Sequence, residues 1–222
     1  MAELWYPKAR RPYGPDYKVS GPPQAKKGAV YHSMVSSYAS AYGKLLGPAE
    51  SSWHFSVRQN GAVMQHYPVT AWAWHCGDRD DPAGEISNNR DLIGIEHEGG
   101  PIGNESEPLT STQLTATVEL TAWLYQQGHI ANLSQIGDNK GLWEHHEIVA
   151  TACPSHRIPR RLIRTRVERI LTEEEDMSEV LNELKAQEKF RKIQAVHVAI
   201  GALRGAGLPT DLKNVMLYLG IK

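Results

Sequence analysis

Of the ten histidines in this 222-residue chain, nine lie before residue 157, and an imidazole is both the commonest metal ligand and the side chain suited to carrying protons near neutral pH. The densest group is the run His145-His146-Glu147-Ile148-Val149-Ala150-Thr151-Ala152-Cys153-Pro154-Ser155. A histidine and a cysteine eight positions apart do not share one turn of a helix, but a strand-end histidine and a loop cysteine can converge on one ion. Zinc suits that pair, because it stabilises a thiolate and, with three N and S ligands, keeps a fourth position for a water whose pKa falls to about 7. The third ligand must come from another strand, and His32, at the end of the first β-type run, is the natural candidate. Strand alternation sends His146 to the opposite face from its neighbour, which selects His145.

Such a set needs a scaffold to bring it together. The opening, residues 1–27, holds five prolines and no helical period, so it reads as an extended arm. Residues 29–35 form a short β-type run, and apolar residues at helical spacing over 36–46, stopped by Gly47-Pro48, predict a helix. Two alternating runs, 53–58 and 62–67, flank Gln59-Asn60-Gly61, a strong hairpin signal. Residues 79–89 are acidic and rich in Gly, Pro and Asn, predicting a surface loop that leads into a buried strand over 91–98. Thr110 to Gln113 opens a helix of about four turns that ends at Gly128. After the histidine and cysteine segment, helix formers dominate, predicting helices over 160–171, 178–204 and 210–219.

Taken in order, Ala29-Val30-Tyr31-His32, Trp53-His54-Phe55 with Asn60-Gly61, Trp74-His75-Cys76-Gly77, Ile93-Gly94-Ile95-Glu96, and His145-His146-Glu147-Ile148 with Ala152-Cys153-Pro154-Ser155 resemble the zinc-dependent N-acetylmuramoyl-L-alanine amidases. This is the family shared by many phage endolysins and the peptidoglycan recognition proteins. The resemblance covers about residues 28–160 and implies an α/β fold, a central mixed β-sheet flanked by helices, with zinc in a cleft at one sheet face. It implies His32, His145 and Cys153 as zinc ligands, Glu96 as general base, and Thr151 or His54 assisting the oxyanion. His54, His75 and Trp53 read either as substrate contacts or as packing, and Trp72 and Trp74 either as core or as sugar-stacking surfaces; Cys76 and His66 read as structural. Two positions depart from the family pattern. Trp53 stands where many members have a tyrosine, and Thr151 where phage members often have a lysine.

The implied activity is hydrolysis of the amide joining N-acetylmuramic acid to L-alanine in peptidoglycan, as in an endolysin. The alternatives are a non-catalytic recognition module that keeps zinc as a structural pin, and a zinc hydrolase acting on another substrate. Residues 28–171 would form the catalytic domain and 172–222 a linker and small all-helical region that binds the wall or self-associates.

Composition narrows the other classes. Apolar residues make up 41% and charged residues 22%, enough to bury a core and too ordinary for a disordered tail. Residues 1–159 carry 12 Lys and Arg against 16 Asp and Glu, and residues 160–222 carry 12 against 9, so neither part has the basic excess of a nucleic-acid binder. No apolar run approaches the roughly 18 residues of a membrane helix, and Met1-Ala2-Glu3-Leu4-Trp5-Tyr6-Pro7 lacks the marks of a secretory signal. The expectation is accumulation in the host bacterial cytoplasm and action on the wall after release. Cys76 and Cys153 allow at most one disulfide. The purine-rich codons of Glu173-Glu174-Glu175-Asp176 before Met177 raise an internal translation start, giving a 177–222 fragment that assembles through Val180, Leu184 and Ile193; the plainer reading is an acidic helix start.

Overall fold

The computed structural model describes residues 4–77, 88–134 and 140–206. In chain order the elements are β1 (Val19–Ser20), β2 (Gly28–Ser33), α1 (Tyr38–Leu46), β3 (Phe55–Val57), β4 (Val63–Gln65), β5 (Trp72–Ala73), α2 (Asn88–Asp91), β6 (Leu92–His97), α3 (Ser111–Gln126), β7 (Gly141–Glu144) and α4 (Arg160–Gly205), with short 3-10 turns at Asp16–Lys18 and His145–Glu147.

Five strands form one mixed sheet in the order β4-β3-β6-β2-β7. Only β3 and β4 are antiparallel; β2 runs parallel to both β6 and β7, and β3 runs parallel to β6. The hairpin follows from Gly61. Arg58 and Ala62 close a three-residue loop, and Gly61 takes φ +82°, a left-handed conformation that a side chain would strain. The central strands are buried except at Glu96, which is partly buried, as expected for parallel strands covered on both faces.

Strand alternation divides the sheet's side chains into two sets. Tyr31 and His97 belong to the face covered by α3, where the Tyr31 hydroxyl lies 2.8 Å from Thr121 Oγ1 and His97 Nε2 lies 3.0 Å from Thr117 Oγ1. Helix α3 starts where Thr110 Oγ1 accepts a hydrogen bond from the Gln113 amide, satisfying one of the helix's free donors. Its buried stripe, Gln113, Thr117, Leu120, Thr121 and Leu124, follows the helical repeat onto the sheet. Each aliphatic fully buried there contributes about 1.5–3 kcal/mol. His32 and Glu96 are register partners on β2 and β6 and share the opposite face.

Several local expectations are corrected. The arm is not free of regular structure: β1 pairs with β5, and Arg10 bridges Met64, so the arm covers the outer edge of β4 and removes an open strand edge. The arm is clamped there by Gln65, whose side chain accepts from the Tyr6 amide and donates to Leu4 O and Tyr67 O. Asn88 and Asn89, expected in a surface loop, are buried in the single turn of α2; the rest of that loop lies outside the described residues.

The helix break expected between residues 171 and 178 is absent: α4 spans Arg160 to Gly205. Glutamate is a good helix former, no Gly or Pro interrupts residues 160–200, and i,i+4 pairs such as Arg164–Glu168 and Glu188–Lys192 suit a continuous helix. The chain divides into two compact units, Met1–Ile170 and Leu171–Lys222. Within the second, Ala199 and Leu203 are buried with Ile200 packed against them. The helix expected over 210–219 and the side chains of Val180, Leu184 and Ile193 lie outside the described residues.

Candidate metal centre

His32 projects from β2, a strand held between β6 and β7. His145 and Cys153 come from the segment that follows β7. Here the structure changes the reason for choosing His145: it begins a 3-10 turn after the strand has ended, so alternation does not decide between the two histidines. The turn aims His145 at His32, with ring centroids 4.4 Å apart, while His146 is exposed with its Nδ1 3.5 Å from the Glu144 carboxylate. Glu147 fixes the turn by accepting from the Glu144 amide at 2.7 Å and pairing with Arg160. The His146 amide then donates to the Cys153 carbonyl at 2.9 Å, closing the loop so that Cys153 returns beside His145.

One ligand atom each from His32, His145 and Cys153 lies within 4.8 Å of the others, and His32 Nδ1 is 4.0 Å from Cys153 Sγ. Zn–N and Zn–S bonds of about 2.1 and 2.3 Å at a tetrahedral angle require a separation of about 3.6 Å, so a small inward movement makes the set a ligand triangle. The group can hold a metal ion, and its N, N and S donors match zinc in type. The Ser33 amide donates to Cys153 Sγ at 3.3 Å, the contact a thiolate needs. Without a cation, burial and the nearby Glu96 push the thiol up to about 12, so metal binding must displace a proton.

Glu96 sits beside His32 on the same face. Its Oε2 is buried and makes no hydrogen bond among the described residues. Burial raises the carboxyl to about 8, against the opposing fields of Lys44 and Arg157.

The three candidate substrate contacts are placed differently. Trp53 is 6% exposed, packed with Met34, Leu45 and Tyr67, and donates its indole N–H to Ser56 Oγ, so it is a core side chain with no face for a sugar. His54 is fully buried and saturated: Nδ1 accepts from the Gly94 amide and Nε2 donates to the Ala71 carbonyl. His75 is partly buried, and its Nδ1 lies 3.2 Å from His32 Nε2, so it touches a candidate metal ligand. Thr151 is exposed, and its Oγ1 accepts from the Cys153 amide at 3.3 Å, which leaves its hydroxyl proton for another acceptor. Cys76 and His66 are buried, and Cys76 and Cys153 form no disulfide.

Sequence reasoning missed two anchors. Arg157, 3% exposed, donates to Ser33 Oγ, His97 O, Glu98 O and Glu107 O, tying the segment after Cys153 to the ends of β2 and β6. Asn89 Oδ1 accepts from the amides of both His75 and Cys76. Neither has a local signature, since a lone arginine or asparagine in a loop reads as surface.

Five desolvated histidines, four of them buried and His75 partly so, make the fold acid-sensitive. Desolvation is the largest cause in each, holding His32 and His54 well below their usual value, His66 and His97 at about 4, and His75 at about 3. Unfolded imidazoles titrate near 6.5, so below that pH the unfolded chain takes up protons that the folded chain excludes. Stability is therefore full above about pH 6.5 and falls as pH drops toward the folded values. Glu96 acts oppositely, since a carboxyl raised to about 8 favours the folded state at low pH and loses that contribution as pH rises from 4.5 to 8. Glu144, also raised by burial, acts in the same sense as Glu96; five imidazoles outweigh two carboxyls, and the urea midpoint of the zinc-free chain should fall between pH 7 and pH 5. A flat or rising midpoint would contradict the neutral, desolvated state of these rings.

The family model for N-acetylmuramoyl-L-alanine amidase matches residues 22–156, which contain His32, Glu96, His145 and Cys153. No curated protein matches the chain. Among solved structures, the endolysin N-acetylmuramoyl-L-alanine amidase LysCS from Clostridium intestinale is 20% identical, with 74% of this chain and 98% of that one covered at a TM-score of 0.52. PlyL is 17% identical over 72% of this chain and 96% of its own, with a TM-score of 0.54. A mutant endolysin from Bacillus subtilis is 18% identical over 71% and 96%, with a TM-score of 0.52. At these identities the structures establish the fold, and the mixed sheet with flanking helices is common to them. The family match spans well over half the chain and contains the His, His and Cys triangle with its neighbouring carboxylate: the chain belongs to the N-acetylmuramoyl-L-alanine amidase family.

Proposed function

We propose that the protein is a zinc-dependent amidase that cleaves the bond between N-acetylmuramic acid and L-alanine in peptidoglycan, in the manner of an endolysin. The observation that carries this reading is Glu96: a buried carboxylate oxygen without a hydrogen-bond partner among the described residues, on the face and at the level of His32. A module that only recognised the wall would have no use for an uncompensated carboxyl beside its metal ligands, because leaving it unpaired costs stability.

Zinc held by His32, His145 and Cys153 would supply Lewis-acid polarisation of the scissile carbonyl and acidification of a water. Glu96 takes the proton from the attacking water as the new C–O bond forms, then delivers it to the alanine nitrogen as the C–N bond breaks. The products are the lactyl carboxylate and a free alanine amine. With a cation bound nearby, the raised Glu96 carboxyl would fall back toward neutrality, the range in which one group can accept and then donate a proton. Thr151 offers its hydroxyl proton to the developing oxyanion, a neutral donor in place of a charged one. The burial of Trp53 and His54 speaks for packing roles and leaves Thr151 as the oxyanion donor in this reading. No helix among the described residues is long and apolar enough to cross a membrane.

Digestion of purified cell wall should release free alanine amino groups without new reducing sugar ends. New reducing ends would assign a glycosidase. Binding to wall with neither product would assign the recognition module.

A further inference from the structure

Residues 74–77, which follow β5, are not among the three candidate zinc ligands, yet His75 and Cys76 meet both histidine ligands. Leu92 O can only accept, so His75 Nε2, 3.2 Å away, carries a proton and donates it. In the neutral imidazole that leaves Nδ1 as a lone pair, and Nδ1 faces His32 Nε2 at 3.2 Å. His32 must then donate from Nε2, which strips Nδ1 of its proton, and Nδ1 is the atom that faces Cys153 Sγ. One residue further on, the Cys76 backbone hydrogen-bonds His145.

The brace is itself held on two sides. Asn89 Oδ1 accepts from the amides of His75 and Cys76 at 2.8 and 3.0 Å. Beneath it, the His75 ring lies over Gly94, where an added Cβ would come within 2.7 Å of the ring. Gly94 lies on β6 two positions before Glu96 and so on the same face; its missing side chain makes room for an imidazole against the sheet.

We propose that His75 is a positioning residue for the metal centre: it holds His32 in the Nε2–H tautomer that presents Nδ1 to the ion, while the adjoining Cys76 backbone orients His145. The proposal rests on the zinc reading above. Metal-ligating histidines commonly donate their second N–H to a carboxylate, carbonyl or water; here a neutral histidine takes that place, relaying orientation from the Leu92 carbonyl on the sheet.

The test has two arms, both on the full chain. In the zinc-free parent at neutral pH, long-range proton–nitrogen correlation spectra of the imidazoles should show His32 protonated at Nε2; protonation at Nδ1 overturns the proposal, and this arm needs neither a variant nor a metal. In the second arm, zinc affinity is measured by chelator competition. His75→Phe keeps a ring but faces His32 with a C–H, and should weaken zinc about 10–100-fold. His75→Asn places an amide oxygen near the former Nδ1 and should recover most of that loss. Unchanged affinity in the Phe variant, or equal losses in both variants, reduces His75 to packing. A parent that binds no zinc refutes the zinc reading alone, because the tautomer of His32 still decides the brace.

Discussion

Glu96→Gln should keep its zinc and lose amide hydrolysis by about 10²- to 10⁴-fold, the range that positioned proton transfer contributes. The two halves of this expectation come from different features. Retention of metal follows from the ligand set, because His32, His145 and Cys153 form the triangle without Glu96. Loss of turnover follows from the chemistry of an amide, which has the size of a carboxylic acid but cannot take a proton from water at any working pH. The site tolerates the exchange sterically, since the carboxyl lies beside His32 with Oε2 unpaired among the described residues. The loss should fall on kcat more than on KM, because the missing interaction exists only while the proton moves. Metal content by elemental analysis and initial rates on purified wall decide the matter. Activity within a few-fold of the parent would remove Glu96 from the mechanism, and loss of zinc would make it a supporting group of the metal site.

Cys153→Ser should strip the zinc and, with it, the activity. A hydroxyl does not give up its proton to zinc as a thiol does, so the variant offers two nitrogen ligands and a weak neutral oxygen. The Ser33 amide, which donates to Sγ at 3.3 Å, would face a shorter side chain with its acceptor drawn back. Zinc occupancy after dialysis should fall strongly. Thermal stability gives an independent check, since a ligand bound to the folded state at about 1,000 times its Kd stabilises it by about 4 kcal/mol. Chelator should therefore lower the Tm of the parent and leave that of Cys153→Ser unmoved. Full zinc content in the variant would refute Cys153 as a ligand.

Much of the scaffold was legible because it is written in short-range chemistry. Asn60-Gly61 announces the hairpin, since a left-handed residue at Gly61 is needed whatever surrounds it. Thr110 announces α3, because its hydroxyl reaches an amide three residues on. Local propensity misled where an acidic run looked like the gap between two helices: Glu173-Glu174-Glu175-Asp176 is compatible with helix, and α4 passes through it.

By itself, the sequence determined which residue types could meet a metal: the ordered segments around His32, Glu96, His145 and Cys153 were sufficient to name the family and the chemistry. Tertiary structure alone decided what each neighbouring side chain does. His54, His75 and Trp53 were indistinguishable as substrate contacts or packing, and the fold made the first a saturated core residue, the second a partner of His32 and the third a buried indole. Likewise it was the 3-10 turn, and not alternation along a strand, that separated His145 from His146. The physical reason is range. Turn and helix chemistry acts within about four residues and is visible locally, whereas His32 meets His75 across 43 positions and Ser33 meets Cys153 across 120. Which nitrogen points at which partner, and whether a ring is wet or dry, is set only when those distant segments pack against one sheet face.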